Sequence, residues 1–490
     1  MGASVVDECH LDRADNLFSV FLAIGSPALA GYSLAMTRLN SRWLSRQFQY
    51  LHFPNNADPP LALSALQHIP FRIDASGHLL PSLIVLPQNN DYWKFLAAVA
   101  KRTRQWSIPM VMNIFWVLVA FSFTIVGSLV DFQEVISVPG DVGYPIVAVW
   151  SYLLPLVIGW LYVGSQTEAG HLRDALDEAH HMAYAATATE PAPALQTPNH
   201  PQAIKYSTEL IDHVNADEKK TAPIFNYARV FIWSQNTEYI LGLYRHADAK
   251  AHKRQTVRRG VSWMSSGTGG TVPENRIGNE EEVLQYCMEK SKTAGDADSP
   301  ETAEAAPMKP IFATGVIHRV VLATILAHVL QWGTTGASIL IHIFTPPKGF
   351  GCRALTFTVY GAAGTFSFWL LLLSSVLAHM VRHQTVTHRR SGSAVFIGYI
   401  AALTRWLGKT IAVMNGIGLL IACCMQFGGL YDNCFCSSSL FGGSPNGLVK
   451  FLEPNIKGSQ VYGCWIGGLA MAFALSALYA FVIYLATPME

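Results

Sequence analysis

Charged residues are scarce in this sequence of 490 residues. Asp, Glu, Lys and Arg make up 14% of the chain, hydrophobic residues make up 51%, and the mean hydropathy is +0.26. Soluble domains carry about 25% charged residues, so this balance disfavours a disordered protein and a soluble enzyme. A net charge of +1 provides no overall basic field, so we expect no nucleic-acid partner. A multi-pass protein of the lipid bilayer is the better interpretation.

Acidic residues are absent from seven apolar segments of the chain. Each segment reaches or approaches the length of roughly 20 residues that a helix needs to cross the hydrocarbon layer. These segments are 17–36, 109–130, 144–163, 315–344, 355–381, 409–427 and 465–486. Proton-coupled transport usually places a carboxylate inside the membrane, so their composition disfavours that mechanism and carboxylate catalysis within the bilayer. The chain also lacks a Ser-His-Asp signature, a nucleophile elbow and a Rossmann glycine pattern. We therefore expect no cofactor, no metal and no catalytic residue.

Basic residues cluster on alternate flanks of the apolar segments. They are Arg38, Arg42 and Arg46; Lys101, Arg102 and Arg104; and Arg382, Arg389 and Arg390. Cytoplasmic loops hold the excess of Lys and Arg, so the pattern predicts an N-terminus outside or in a lumen and a cytoplasmic C-terminus. The predicted fold is an all-α integral membrane protein, a seven-transmembrane-helix bundle with a partly disordered cytoplasmic insertion.

The predicted chain has three regions. Residues 1–163 carry transmembrane helices 1–3 with a cytoplasmic segment at 37–108, in which the apolar run 79–87 indicates an interfacial or strand-like piece. Residues 164–310 form a cytoplasmic region with two helical stretches, 168–186 and 224–246, and disordered linkers that include the tract leading to Pro310. The second stretch is expected to lie on the bundle or the inner leaflet. Residues 311–490 carry transmembrane helices 4–7.

Four cysteines fall in the predicted outer loops. They are Cys352, Cys434, Cys436 and Cys464. Disulfides persist on that side of a membrane, so two bridges are expected to tie down the outer loop 428–464, in one of three connectivities. A metal site is the alternative, but Cys434-Phe435-Cys436 lacks the Cys-x-x-Cys spacing.

The fourth apolar segment carries a stripe of polar residues. These residues, at i, i+3, i+7, i+10 and i+14, are His328, Gln331, Thr335, Ser338 and His342. Polar side chains in a membrane helix normally face the bundle interior or a wet cavity, so the stripe predicts either a ligand path or hydrogen bonds that join helices. The two histidines lie about 21 Å apart along a helix and cannot share a metal.

Two further patterns favour simple interpretations. Arg405 and Lys409, one turn apart, are candidates to bind an anionic group, although snorkelling to the membrane interface is the simpler account. Asp177 and His181, also one turn apart, are spaced to bind a metal weakly, but the pattern is more typical of a solvated helix face.

Several short stretches of the chain resemble a known family. They are Leu83-Ile84-Val85-Leu86-Pro87 with Asn90-Asp91-Tyr92-Trp93, Trp106-Ser107-Ile108, Leu153-Leu154-Pro155 to Gly159-Trp160-Leu161, Phe231-Ile232-Trp233-Ser234-Gln235, Gln331-Trp332-Gly333-Thr334-Thr335-Gly336-Ala337, Phe344-Thr345-Pro346-Pro347 and Gly349-Phe350-Gly351-Cys352-Arg353. Together they resemble a family of uncharacterised polytopic membrane proteins of filamentous fungi with no established activity. The resemblance implies a multi-pass architecture and a fungal source, and it assigns no site residue.

Three functions are compatible with these patterns. The first is non-enzymatic handling or sensing of a small-molecule ligand by a carrier or a receptor-like bundle, with the polar stripe lining its path. The second is a membrane-embedded enzyme that acts on a lipid-like or isoprenoid substrate, with a stripe histidine as acid or base and Asp131 and Glu134 as the nearest carboxylates. The third is a scaffold that binds a cytoplasmic protein partner through the stretch 224–246.

Overall fold

A computed structural model describes most of the chain. The described residues are 17–74, 79–102, 143–163, 169–188, 190–197, 202–206, 217–220, 222–265, 272–288, 311–345, 349–387, 392–428, 430–431 and 458–485, with isolated positions between 112 and 123.

The described chain is dominated by helices. They are α1 (Leu17–Gly25), α2 (Pro27–Gln49), α3 (Asp58–Ala65), α4 (Leu79–Val85), α5 (Asn90–Arg102), α6 (Gly143–Trp150), α7 (Leu153–Val163), α8 (Ala169–His181), α9 (Asn226–His252), α10 (Glu280–Cys287), α11 (Val316–Phe344), α12 (Cys352–Thr387), α13 (Gly392–Phe427) and α14 (Gly458–Ala480). The described chain also contains two short antiparallel strand pairs. Phe71–Ile73 pairs with Ile204–Tyr206, with Phe71 opposite Tyr206, and Tyr184–Ala185 pairs with Ala192–Pro193.

Four helices are long and apolar enough to cross a membrane. They are Val316–Phe344 (α11), Cys352–Gln384 (in α12), Gly392–Gln426 (in α13) and Gly463–Tyr484 (from α14 onward). Helices α1 and α2 make a fifth candidate if this bent pair counts as one span. The prediction of seven spans is therefore not supported by the described residues. The predicted segment 109–130 lies outside them except for scattered positions, and the orientation in the membrane stays a prediction.

The first predicted span, 17–36, is broken. Helices α1 and α2 meet at Ser26 with an angle of 105° between them, which makes a broken span or a re-entrant loop. The physical reason is Pro27, which has no N–H to donate and whose ring would clash with the preceding turn of a continuous helix. Proline is favourable at the start of a new helix, and Ser26 serves as the N-cap of α2.

The third predicted span, 144–163, is also interrupted. Helix α6 ends at Trp150 and α7 begins at Leu153, so the apolar stretch Pro145–Trp160 falls short of a full crossing. Pro155 stands in the first turn of α7, where its missing N–H is tolerated, but it would break the ladder of a longer helix. By contrast, α11 runs unbroken through Gly333 and Gly336.

Helices α12 and α13 form a long antiparallel hairpin whose cross-links recur every seven residues. The Asn415 side chain donates to the Tyr360 carbonyl at 2.9 Å, Ser367 donates to the Gly408 carbonyl at 2.8 Å, and Ser374 donates to the Ala401 carbonyl at 2.7 Å. A seven-residue period keeps one face of each helix against its partner, as in a coiled coil. In a membrane such hydrogen bonds and close backbones hold helices together without a hydrophobic driving force.

Outside the bundle, sequence-distant segments form one helical domain. Its core contains Leu44 and Phe48 from the second half of α2, Trp93 from α5, and Tyr244 from α9, together with side chains of α3, α4, α8 and α10. The first halves of α2 and α9 belong instead to the core of the bundle. These two helices therefore run from the bundle into the domain and join them.

Three predictions for this part of the chain are wrong. The run 79–87 is neither interfacial nor a strand, because α4 has all seven of its residues buried in the domain core. Residues 280–287, predicted to be disordered, form α10, which buries Val283, Tyr286 and Cys287. The region thus has a third helix beyond the two expected. The stretch 224–246 does pack against the bundle, as one of its two expected positions required.

A buried arginine, Arg276, donates hydrogen bonds at the C-terminal end of α4. Arg276 is 3% exposed and donates through Nε to the Val85 carbonyl at 2.7 Å and through Nη2 to the Asn90 side chain at 3.1 Å. Burial lowers the pKa of its guanidinium to about 10, so Arg276 is charged at neutral pH. A cation at the C-terminal end of a helix binds its free carbonyls and opposes the helix dipole favourably.

We expect Arg276→Met to destabilise the domain by about 1.5–3 kcal/mol, because it removes charge-assisted hydrogen bonds to buried carbonyls. Thermal unfolding of the full chain in detergent measures the effect. Arg258→Met, at an exposed position, is the matched control and should leave the unfolding temperature unchanged. Equal effects of the two substitutions would contradict the assignment.

Candidate functional site

The polar stripe of α11 meets the break between α1 and α2 at Gln331. Its side-chain oxygen accepts the backbone N–H of Ala28 at 2.8 Å, and its Nε2 donates to the Gly361 carbonyl at 2.7 Å and to Thr365 Oγ1 at 2.8 Å. Ala28 lies in the first turn of α2, where backbone N–H groups have no partner within the helix. Gln331 therefore supplies an acceptor for the broken helix and joins α2, α11 and α12.

Three more side chains hold the same break. Ser26 donates to the Gly364 carbonyl at 2.9 Å, Tyr360 donates to the Ile24 carbonyl at 2.6 Å, and Asn415 donates to the Gly25 carbonyl at 2.7 Å. The contact is close, because a Cβ on Gly25 would lie 1.7 Å from the Ala412 carbonyl oxygen. The bend is thus a fixed feature of the bundle with satisfied backbone groups.

The other stripe residues are buried or half-buried without completing their hydrogen bonds. Thr335 and Ser338 are 0% exposed, and neither hydroxyl has a partner among the described residues. His342 stacks on Phe357 at 5.2 Å between ring centroids, and its Nε2 likewise lacks a partner in the described part of the chain. His328 pairs through Nδ1 with the Thr324 carbonyl at 2.8 Å, which leaves its buried Nε2 unmatched there as well.

Other threonine hydroxyls in α11 or at its end differ from the hydroxyls of Thr335 and Ser338. Thr324, Thr334 and Thr345 each donate to a carbonyl of the preceding turn, at 2.8, 3.0 and 2.6 Å. This back-bonding is the ordinary solution for a hydroxyl on a helix. Thr335 and Ser338 do not adopt it, and an unpartnered buried polar group costs roughly 1–3 kcal/mol. These two positions are therefore the strongest candidates for contact with a bound molecule.

One member of the predicted anion-binding pair, Arg405 and Lys409, binds an anion of the chain itself. Lys409 forms an ion pair with Asp217, which is fully buried and also accepts the hydroxyl of Tyr227 at 2.6 Å. Burial first, and then the Asp217 carboxylate, raise the pKa of the Tyr227 hydroxyl well above its usual value. Arg405 donates through Nε to Ser374 Oγ at 3.4 Å. The Lys409 side chain is 19% exposed, so most of it is enclosed by the protein, and snorkelling to the membrane interface stays a prediction.

Two arginines that the sequence analysis did not single out lie where the bundle meets the domain. Arg319, on the first turn of α11, donates through Nε to the Asn40 side chain at 2.9 Å. Its guanidinium carbon lies 4.2 Å from the centroid of the Trp43 ring. Arg229 donates to Asn226 at 2.6 Å beside a small cavity that has room for about one water molecule. The signal for Arg319 was its position at the head of an apolar helix, but its partners on α2 were not predictable.

The predicted cysteine pairs of the outer loop are met only in part. Among the described cysteines Cys464 is a free thiol, and no disulfide joins two of them. Cys352 takes part in a disulfide bond. Cys434 and Cys436 lie outside the described residues, so their pairing stays a prediction, whereas the expected bond of Cys464 is absent.

No protein-family profile, curated protein or solved structure matches this chain. The resemblance to the fungal membrane family accordingly stays a prediction.

We expect Gln331→Leu to destabilise the protein by roughly 1–3 kcal/mol, because it leaves the Ala28 N–H buried without an acceptor. The measurement is thermal unfolding in detergent, with Gln196→Leu, at an exposed position of the domain, as the control. If Gln331→Leu unfolds at the wild-type temperature, the amide does not hold the break.

The ion pair between Asp217 and Lys409 gives a second prediction. Lys409→Met should cost about 3–5 kcal/mol, because it strands a buried carboxylate, and the double variant Asp217→Asn/Lys409→Met should recover part of that loss. Urea unfolding of Asp217→Asn, Lys409→Met and the double variant measures the coupling energy between the two charges. Lys101→Met, at an exposed position, is the control. Additive effects, within about 0.5 kcal/mol, would show that the two charges do not interact.

Proposed function

We propose that this is a non-enzymatic multi-pass membrane protein that handles or senses a small polar molecule, as a carrier or a receptor-like bundle. The observation that carries the proposal is the unpartnered state of Thr335 Oγ1 and Ser338 Oγ among the described residues, both fully buried on one stripe of α11. A bound molecule with matching donors or acceptors offsets the cost of these groups, and its binding then depends on them.

The break at Ser26 supports the same proposal. Carriers commonly bind their substrates beside discontinuous membrane helices, where irregular backbone lies within the bundle. Gln331 belongs both to the stripe and to the contacts of the break, so a molecule that reaches Thr335 lies one turn away from the bend. We assign Gln331 to holding the break, and His328, Thr335, Ser338 and His342 to facing the ligand.

The two alternative functions have less support. The enzyme hypothesis used Asp131 and Glu134 as its nearest carboxylates, and both lie outside the described residues. The scaffold hypothesis used the stretch 224–246 as a docking helix for a partner. That stretch lies largely in α9, which has Phe231 in the core of the bundle and Tyr244 in the core of the domain.

Replacing a hydroxyl by a methyl group separates a ligand-facing hydroxyl from a structural one. Thr335→Val removes an unpartnered group, so the ligand-free protein should unfold at the same or a higher temperature. Thr334→Val is a closely matched control, because Thr334 is the adjacent, equally buried threonine whose hydroxyl is bonded to its own helix. It should lower stability by about 1 kcal/mol.

Thermal-shift screening of the full chain with small polar solutes then tests the binding itself. A solute that raises the unfolding temperature of the wild type and of Thr334→Val, but has little effect on Thr335→Val/Ser338→Ala, supports the proposal. The proposal fails if Thr335→Val is as destabilising as Thr334→Val, since the hydroxyl is then structural. It also fails if every stabilising solute acts equally on the double variant.

A further inference from the structure

Two histidines and an aspartate meet where the helices α2 and α9 end in the domain. Asp248 and His252 lie one turn apart on α9, and His52 follows the end of α2. One ligand atom from each side chain lies within 4.8 Å of the ligand atoms of the other two. His52 and His252 are exposed, whereas Asp248 is 8% exposed. The two imidazoles of the group are therefore accessible to solvent, whereas its carboxylate is buried.

The backbone orients the carboxylate of this group. Asp248 Oδ1 accepts the backbone N–H of His52 at 2.9 Å, and Oδ2 lies 3.6 Å from His252 Nε2. One carboxylate oxygen is thus held by the main chain while the other is directed at the imidazole. Hydrogen bonds that orient the ligands in this way are a regular part of metal sites.

The distances suit a small metal ion. Bonds of about 2.0–2.1 Å from a tetrahedral Zn²⁺ to nitrogen and oxygen place neighbouring ligand atoms about 3.3 Å apart. The oxygen of Asp248 and the nitrogen of His252 are already close to that separation. The rings of His52 and His252 have centroids 5.3 Å apart, and both residues are exposed.

We propose that His52, Asp248 and His252 bind one divalent transition-metal ion of the Zn²⁺ type, with a fourth position open to water. Two imidazoles and a carboxylate favour such ions, whereas Ca²⁺ and Mg²⁺ prefer sites made of oxygen atoms. Asp177 and His181 on α8 have the same one-turn spacing but no third ligand beside them in the described structure. The third ligand, from another segment of the chain, distinguishes the cluster at α9.

Bound metal has a structural consequence. It links the end of α2 to the end of α9, the two helices that run from the bundle into the domain. An ion that binds the folded state alone raises stability by mass action, so Zn²⁺ should raise the unfolding temperature of the protein. This inference concerns the domain and does not depend on the function proposed for the bundle.

The test is a titration of the full chain in detergent, purified through a tag without histidine and treated with a chelator. Calorimetry with Zn²⁺ and visible absorption with Co²⁺ report the stoichiometry and the kind of ligand. We expect one equivalent to bind to the wild type. His52→Gln and His252→Gln should each weaken binding by at least about tenfold, since each removes a ligand. His52→Gln keeps the backbone N–H that holds Asp248.

His181→Gln is the matched control, since it removes an exposed histidine from α8. It should bind Zn²⁺ as the wild type does, and Ca²⁺ should not displace the ion. The inference is overturned if the wild type binds no stoichiometric Zn²⁺, or if binding survives both His52→Gln and His252→Gln. Both substituted positions are exposed, so loss of binding with an unchanged circular-dichroism spectrum reports the site itself.

Discussion

The hydrogen bond from the Ala28 N–H to the Gln331 side chain holds the broken helix pair around which the bundle is arranged. A lipid environment offers no water to an exposed backbone group, so a helix can break within a membrane only where other side chains complete its hydrogen bonds. Pro27 disfavours a continuous helix, and Gln331 supplies the acceptor that the first turn of α2 needs. The close approach at Gly25 and the bond from Asn415 follow from that arrangement.

From this break, α2 carries the fold out of the bundle. Its first half packs on α11, and Arg319 of α11 donates to Asn40 near the point where α2 enters the domain. Helix α9 makes the same passage beside it. Two continuous helices and the hydrogen bond from Arg319 to Asn40 therefore join the domain to the bundle.

Two places in the described structure carry the binding proposals made above. Thr335 and Ser338 keep unpartnered hydroxyls among the described residues, although neighbouring threonines are paired within α11. In the domain, Asp248 directs a carboxylate oxygen at His252 beside a second imidazole. The two places differ in chemistry, since one offers neutral hydroxyls in the bundle and the other offers metal ligands at the surface.

Local properties of the sequence were enough to predict the helical membrane character, an apolar helix at 315–344 and the polar stripe along it, whereas only the structure shows that this helix is continuous. Hydropathy and helical spacing depend on residues near one another in the chain. The same reasoning predicted seven spans where the described residues support four or five, because it weighed the apolar composition of 17–36 and 144–163 above the prolines in those segments. It missed α4 and α10 as core helices, because their partners come from distant segments. Only the tertiary structure brought Gln331 to Ala28, Lys409 to Asp217 and His52 to Asp248, pairs separated by 303, 192 and 196 residues. No periodicity in the sequence reports such pairs, because their contact energies depend on how the whole chain packs.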